Sequence, residues 1–122
     1  MSDEVLTMPN DKGQYQVECD ASYYTSGTVL SQQQPNESWQ PIPFALWMMA
    51  PAQRNYQIYD KELLTVINAL DKWRQYLLGS PQVIDVVTDH QNLEYYRKPQ
   101  NLSRRQADWI SQLQEYHLEL RH

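Results

Sequence analysis

Three carboxylates in this chain stand where a metal-dependent hydrolase would need them: Asp20, Glu62 and Asp89. Asp20 closes residues 14–20, QYQVECD, where Tyr15, Val17 and Cys19 alternate with Gln14, Gln16 and Glu18. That alternation predicts a strand with one buried face. Asp89 follows residues 82–88, QVIDVVT, a short apolar strand. Glu62 falls in the first turn of a predicted helix between them. If the two strands are parallel neighbours, Asp20 and Asp89 meet at one sheet edge, within reach of Glu62. Two Mg²⁺ ions about 3.5–4 Å apart, held by such a cluster, activate water and stabilise a leaving oxygen in phosphodiester hydrolysis. Hard cations of this kind take oxygen ligands. The same residue types also serve as caps and solubilising charges at strand and helix ends. Spacing alone leaves both readings open.

The elements that would position these acids follow from pattern. A turn at Pro9-Asn10-Asp11-Lys12-Gly13 precedes the first strand. Residues 27–32 read as a second strand, residues 33–40 as its hairpin connection and residues 41–46 as a third strand. The prolines of that third strand place it near an edge or restrict its pairing. Residues 52–59 read as a loop. Over 60–78, Leu63, Val66, Ile67, Leu70, Trp73 and Leu77 recur at spacings of three and four, predicting one helix stopped by Gly79-Ser80-Pro81. Residues 90–96 read as a helical turn. Ser103-Arg104-Arg105-Gln106 has the form of a capping box opening a helix to about residue 115. Residues 116–121 alternate as a last strand. The order β-β-β-α-β-α-α-β predicts an α/β fold, a mixed sheet with helices packed on it.

Bulk properties narrow the class. A length of 122 residues suits one domain, and 41% hydrophobic residues suffice for a core. One cysteine, Cys19, allows no internal disulfide; on the buried face of a strand it reads as an inert small hydrophobe. No apolar run approaches the roughly 20 residues that span a membrane, and the acidic N-terminus lacks the apolar core of a signal peptide. The lone cysteine is compatible with a reducing compartment, and no membrane partner is expected. The net charge of -5 argues weakly against nucleic-acid binding, but its distribution is uneven. Between Glu94 and Asp108 stand Arg97, Lys98, Arg104 and Arg105 with no acid among them.

A set of ordered motifs carries a specific resemblance. Val17-Glu18-Cys19-Asp20-Ala21-Ser22, followed by Gly27-Thr28-Val29-Leu30-Ser31-Gln32, resembles the opening of ribonuclease H domains in gypsy-type LTR retrotransposon reverse transcriptase polyproteins. The similarity runs on through Arg54-Asn55-Tyr56, Tyr59-Asp60-Lys61-Glu62-Leu63-Leu64, Trp73 to Gly79, Thr88-Asp89-His90 and Asn92-Leu93-Glu94-Tyr95. It closes with Leu102-Ser103-Arg104-Arg105-Gln106-Ala107 and Trp109. The resemblance implies a ribonuclease H-like fold, with a five-stranded mixed sheet made of a three-strand antiparallel meander plus parallel strands, flanked by helices. It implies cleavage of the RNA strand of RNA–DNA hybrids with Mg²⁺ or Mn²⁺, two ions in the complete site. Asp20, Glu62 and Asp89 match the family's catalytic, metal-binding acids, and Asp20 is the candidate bridge between the ions.

The resemblance also implies neighbours. Residues 1–13 correspond to a lead-in from a connection region and residues 14–122 to the ribonuclease H-like domain. The adjoining polymerase and connection domains of the polyprotein are then partners, in a cytoplasmic particle or the nucleus. The family carries a fourth acid in a C-terminal segment beyond Arg121-His122, so little or no cleavage is expected of these residues alone. Leu46, Trp47 and Gln53 depart from the family's usual Ser, basic residue and Glu. The apolar run at 44–49 reads either as a contact for a neighbouring domain or as a buried extension of the third strand. An alternative is a catalytically silent module of a decayed or domesticated element, with the same fold.

A hybrid is gripped through phosphates, sugars and shape. Arg97, Lys98, Arg104 and Arg105 are the candidate phosphate contacts, against a plain solvated basic turn. Ser22 and Asn92 are candidates for the RNA 2′-hydroxyls, against the bland reading of side-chain caps. His90 is a candidate proton shuttle, against a structural hydrogen bond. Trp73, Tyr76 and Trp109 read as core or helix-packing residues rather than base-stacking platforms.

Overall fold

Alternation along the first strand sets the two faces of the sheet. In the computed structural model, which describes residues 12–22, 25–88 and 102–121, strand β1 spans Tyr15–Ala21. Tyr15, Val17 and Cys19 are buried, while Glu18 and Asp20 are exposed. Strand β2 (Thr25–Gln33) returns antiparallel to β1, pairing Val17 with Leu30 and Cys19 with Thr28. Strand β3 (Trp39–Met48) continues the meander antiparallel to β2, with a register irregularity between Val29 and Ser31. It is longer at both ends than the prolines suggested. Its edge placement is as expected, since Pro41 and Pro43 lie on an outermost strand, where a missing ladder donor costs little. The apolar run 44–49 does not behave as one unit: Met49 is buried and Met48 is 69% exposed.

A 3₁₀ turn at Gln53–Asn55 leads into helix α1 (Ile58–Lys72). The single helix expected over 60–78 is two. Trp73, at φ −111° and ψ 26°, separates α1 from a short helix α2 (Arg74–Leu77). Trp73 and Leu77 are both buried in the main core, and Tyr76 packs against it. Tertiary packing of these bulky side chains overrides the local helical pattern. Gly79, with φ 80°, then takes the left-handed conformation that a side chain disfavours, and ends the segment as expected.

Strand β4 (Ile84–Thr88) runs parallel to β1, and β5 (Leu118–Arg121) runs parallel to β4. The sheet order is β3-β2-β1-β4-β5. Helix α3 (Arg104–Leu113) opens with the expected capping box: Ser103 Oγ accepts from the Gln106 N–H, and Gln106 Oε1 accepts from the Ser103 N–H. The helix stops short of residue 115. Tyr116 turns inward there and its hydroxyl donates to the Leu70 carbonyl at 3.3 Å. Arg121, on β5, pairs with the buried Asp85 of β4 at 2.9 Å. The main core joins one sheet face to α1 through Val17, Leu30, Ile42, Val66, Leu70, Ile84 and Val86. A second cluster, Leu63, Leu64, Ile67 and Trp109, joins α1 to α3. The helical turn expected at 90–96 lies outside the described residues.

Candidate active site

The parallel pairing of β1 and β4 ends in register, with Cys19 opposite Thr88. The next residue of β1 is Asp20, exposed and paired across the meander with Gly27 of β2. Asp89 follows Thr88 in the chain but lies outside the described residues, as do His90, Asn92, Arg97 and Lys98. The structure therefore brings together the strand end that carries Asp20 and the one that precedes Asp89. Among the described residues, no group of three or more His, Cys, Asp or Glu side chains converges on a metal position.

Glu62 lies in the second turn of α1 and is only 5% exposed. Its Oε2 atom is closed off from solvent. It shares a helix stripe with Thr65, Val66 and Ala69, three, four and seven residues on. That stripe faces the sheet. Thr65 Oγ1 accepts from Ser26 Oγ of β2 at 2.6 Å and donates to the Lys61 carbonyl at 2.9 Å. The floor below is polar too: Ser26, Thr28 and Thr88 are buried, and Thr28 Oγ1 has no hydrogen-bond partner among the described residues.

A buried carboxylate is costly unless it is paired, hydrogen-bonded or bound to a metal. The donors available suit a hard cation, since carboxylate oxygens are its preferred ligands. Cys19, adjacent to Asp20, belongs to the core side of the sheet. Burial, with a smaller push from Glu18, raises its thiol far above the ordinary range, so it offers no soft thiolate donor. Glu62 and Asp20 each offer carboxylate oxygens, the donor type that Mg²⁺ or Mn²⁺ takes.

The candidate substrate contacts separate sharply. Ser22 closes the β1–β2 turn: its Oγ accepts from the Thr25 N–H at 3.1 Å and lies 2.7 Å from Thr25 Oγ1. That is the capping role. Arg104 is exposed at the start of α3 and makes no ion pair among the described residues. Arg105 has a different environment. Its Nη2 donates to Asp60 Oδ2 at 2.9 Å, and its guanidinium lies 3.9 Å from the ring centre of Tyr56 and 5.5 Å from that of Trp109. The hydrogen bond to Asp60 raises its pKa further, so its charge is permanent.

Sequence pattern alone missed Asp60 and the second role of Gln106. Asp60 is 3% exposed, and its Oδ1 accepts from Gln106 Nε2 at 3.0 Å. The available signal was its spacing of three, four and seven residues from Leu63, Leu64 and Ile67, the stripe that meets α3.

Comparison with known proteins bears on this arrangement directly. Residues 10–116 match the family model described as the RNase H-like domain found in reverse transcriptase. The chain belongs to that family. Among its relatives are the Tf2-3 and Tf2-4 transposon polyproteins of Schizosaccharomyces pombe, each 35% identical over 108 residues. The match covers 85% of this chain and 8% of each polyprotein, so the RNase H-like domain spans a small part of its relatives' length. A foamy viral protease-reverse transcriptase in complex with dsDNA shares the fold at a TM-score of 0.71 and 22% identity, over 94% of this chain and 24% of that one. Another structure of the foamy viral enzyme, in complex with an RNA/DNA hybrid, aligns at a TM-score of 0.68 and 21% identity, over 95% of this chain and 16% of that one. The fold and family anticipated from the motifs are those observed: this is the RNase H-like domain of a retroelement reverse transcriptase.

Proposed function

We propose that this RNase H-like domain cleaves the RNA strand of RNA–DNA hybrids by metal-dependent phosphodiester hydrolysis, with Asp20, Glu62 and Asp89 as ligands for Mg²⁺ or Mn²⁺. The observation that supports it most is the parallel register Cys19–Thr88, which aligns the strand ends before Asp20 and Asp89. Two such ions, when bound, supply Lewis acidity and a water of lowered pKa. The chain's own part is to hold carboxylate oxygens in place. Asp20 offers an exposed carboxylate at the end of a paired strand, and Glu62 offers one from a packed helix. Arg104 is the described cation most available to a phosphate, at a helix N-terminus that also favours anions. Arg97 and Lys98 extend the same proposal, and Asn92 is a candidate for the RNA 2′-hydroxyls. In this reading the domain works beside the polymerase and connection domains of an intracellular polyprotein.

Calorimetric titration with Mn²⁺, comparing the wild type with Asp20→Asn and Glu62→Gln, tests the site. Binding that is lost or weakened in both variants supports it. Affinity unchanged in both, with wild-type binding intact, moves the metal elsewhere. Absence of binding and of hybrid cleavage in the full polyprotein context favours a silent module of the same fold.

A further inference from the structure

We infer that Asp60 is a positioning residue for Glu62, acting through its bridge to Arg105 and Gln106; this rests on the reading of Glu62 as a metal ligand. Helix α1 begins without a side-chain cap, since Gln57 makes no capping hydrogen bond. The first turn of a helix has unsatisfied N–H groups and frays unless something else restrains it. Here the restraint comes from α3. The Asp60 carboxylate uses both oxygens on that neighbour, one for Arg105 and one for Gln106.

Gln106 is itself immobilised. Its Oε1 completes the capping box at the Ser103 N–H while its Nε2 reaches Asp60. One amide therefore fastens the start of α3 to the start of α1. Arg105 adds a charge-assisted bond and lies over Tyr56, just before α1 begins. Below this bridge, Leu63, Leu64 and Ile67 pack with Trp109 and continue the same seam.

Rotation of about 100° per residue puts Asp60 and Glu62 about 200° apart around the helix. Anchoring Asp60 to α3 thus fixes the turn about its axis from the side opposite Glu62. The Ser26–Thr65 hydrogen bond fixes it from the sheet side. Glu62 lies between these two anchors, and its carboxylate direction follows from both. Of the two arginines opening α3, Arg105 therefore serves the geometry of the site, and Arg104 is left for the substrate.

The test uses metal-free protein first. The side-chain carboxyl resonance of Glu62 is followed by ¹³C NMR in wild type, Asp60→Asn and Arg105→Gln, with its assignment made by Glu62→Gln. Ile67→Val, in the same α1–α3 seam, controls for loss of stability alone. The expected result is a shifted or broadened Glu62 resonance in Asp60→Asn and Arg105→Gln, and an unchanged one in Ile67→Val. Mn²⁺ affinity should fall about 10-fold or more in the first two and stay level in the control, as when partners that orient a ligand are removed. If Asp60→Asn does not fold, Arg105→Gln decides. An unmoved Glu62 resonance, or one moved equally by Ile67→Val, overturns the inference. A wild type that binds no Mn²⁺ overturns the metal reading instead, while the resonance still decides the role of Asp60.

Discussion

The two halves of α1 rest on different surfaces. Toward its C-terminal end, Val66, Ala69, Leu70 and Trp73 pack into an apolar floor of Val17, Leu30, Ile84 and Val86. Toward its N-terminal end, Asp60, Lys61, Glu62 and Thr65 are equally buried, and sheet residues Ser26, Thr28 and Thr88 are polar. Apolar burial contributes roughly 25 cal/mol per Å², whereas buried polar groups return little net stability even when satisfied. One half therefore holds the helix on the sheet, and the other buries polar and charged side chains, the proposed ligand Glu62 among them. The difference teaches that the site end is stabilised largely from elsewhere, by the apolar half and by α3.

The largest effect should come from the apolar half. Leu70→Ala is expected to lower unfolding stability by about 3 kcal/mol, measured by urea denaturation, with Mn²⁺ affinity unchanged. A loss of affinity of the same size would show that the halves are not separable. Next comes the pH dependence at the boundary between them. Burial raises the Cys19 thiol above its ordinary value of 9.0, so its contribution is complete below that value. As pH rises past it, the unfolded chain releases a proton that the folded one keeps, and stability falls by up to about 1.4 kcal/mol per pH unit. Tyr116, also raised chiefly by burial, adds a loss of the same sign above its ordinary value of 10.0. Cys19→Ala should flatten the slope below pH 10; an unaltered slope would assign it elsewhere.

A smaller effect sharpens the contrast from the polar side. Thr28→Val removes a buried hydroxyl that has no partner among the described residues. Stability should rise by about 1 kcal/mol, read as a higher Tm; a fall would show that the hydroxyl is used. The smallest effect distinguishes the two arginines. Arg104→Ala should leave stability within about 0.5 kcal/mol and reduce the salt dependence of hybrid binding by about one unit. Binding measured across a salt series checks this, and an unchanged slope removes Arg104 from the interface.

Pattern and motif made the sheet legible for specific reasons. Alternation at Tyr15, Val17 and Cys19 assigned the faces of β1, the prolines limited β3 to an edge or to restricted pairing, and Ser103 with Gln106 announced a capped helix. Each is a local signal. The break at Trp73 was not legible, because it arises from fitting two large side chains into one core. Nor was the partner of Asp60, since an acid early in a helix already has a sufficient local explanation in the helix dipole. The bond from Arg105 to Asp60 was not legible either: beside Arg104 it looks like half of a basic pair, and its partner arrives with α1 from 45 residues away. Pattern put Asp20 and Glu62 at element ends, where caps explain them equally well, and the family motif made them specific candidates.

The sheet order has a consequence for the nascent chain. The β1–β2–β3 meander is complete at Met48, but the parallel partner of β1 begins only at Ile84. During synthesis the middle strand of the finished sheet is for a time an unprotected edge, with its backbone groups free to pair wrongly. The sequence separation makes the β1–β4 seam the slow closure, because distant pairings bear loop entropy before they gain contacts. The strand ends that carry Asp20 and precede Asp89 are therefore expected to assemble late, and crowding of partly made chains should harm this end of the molecule first.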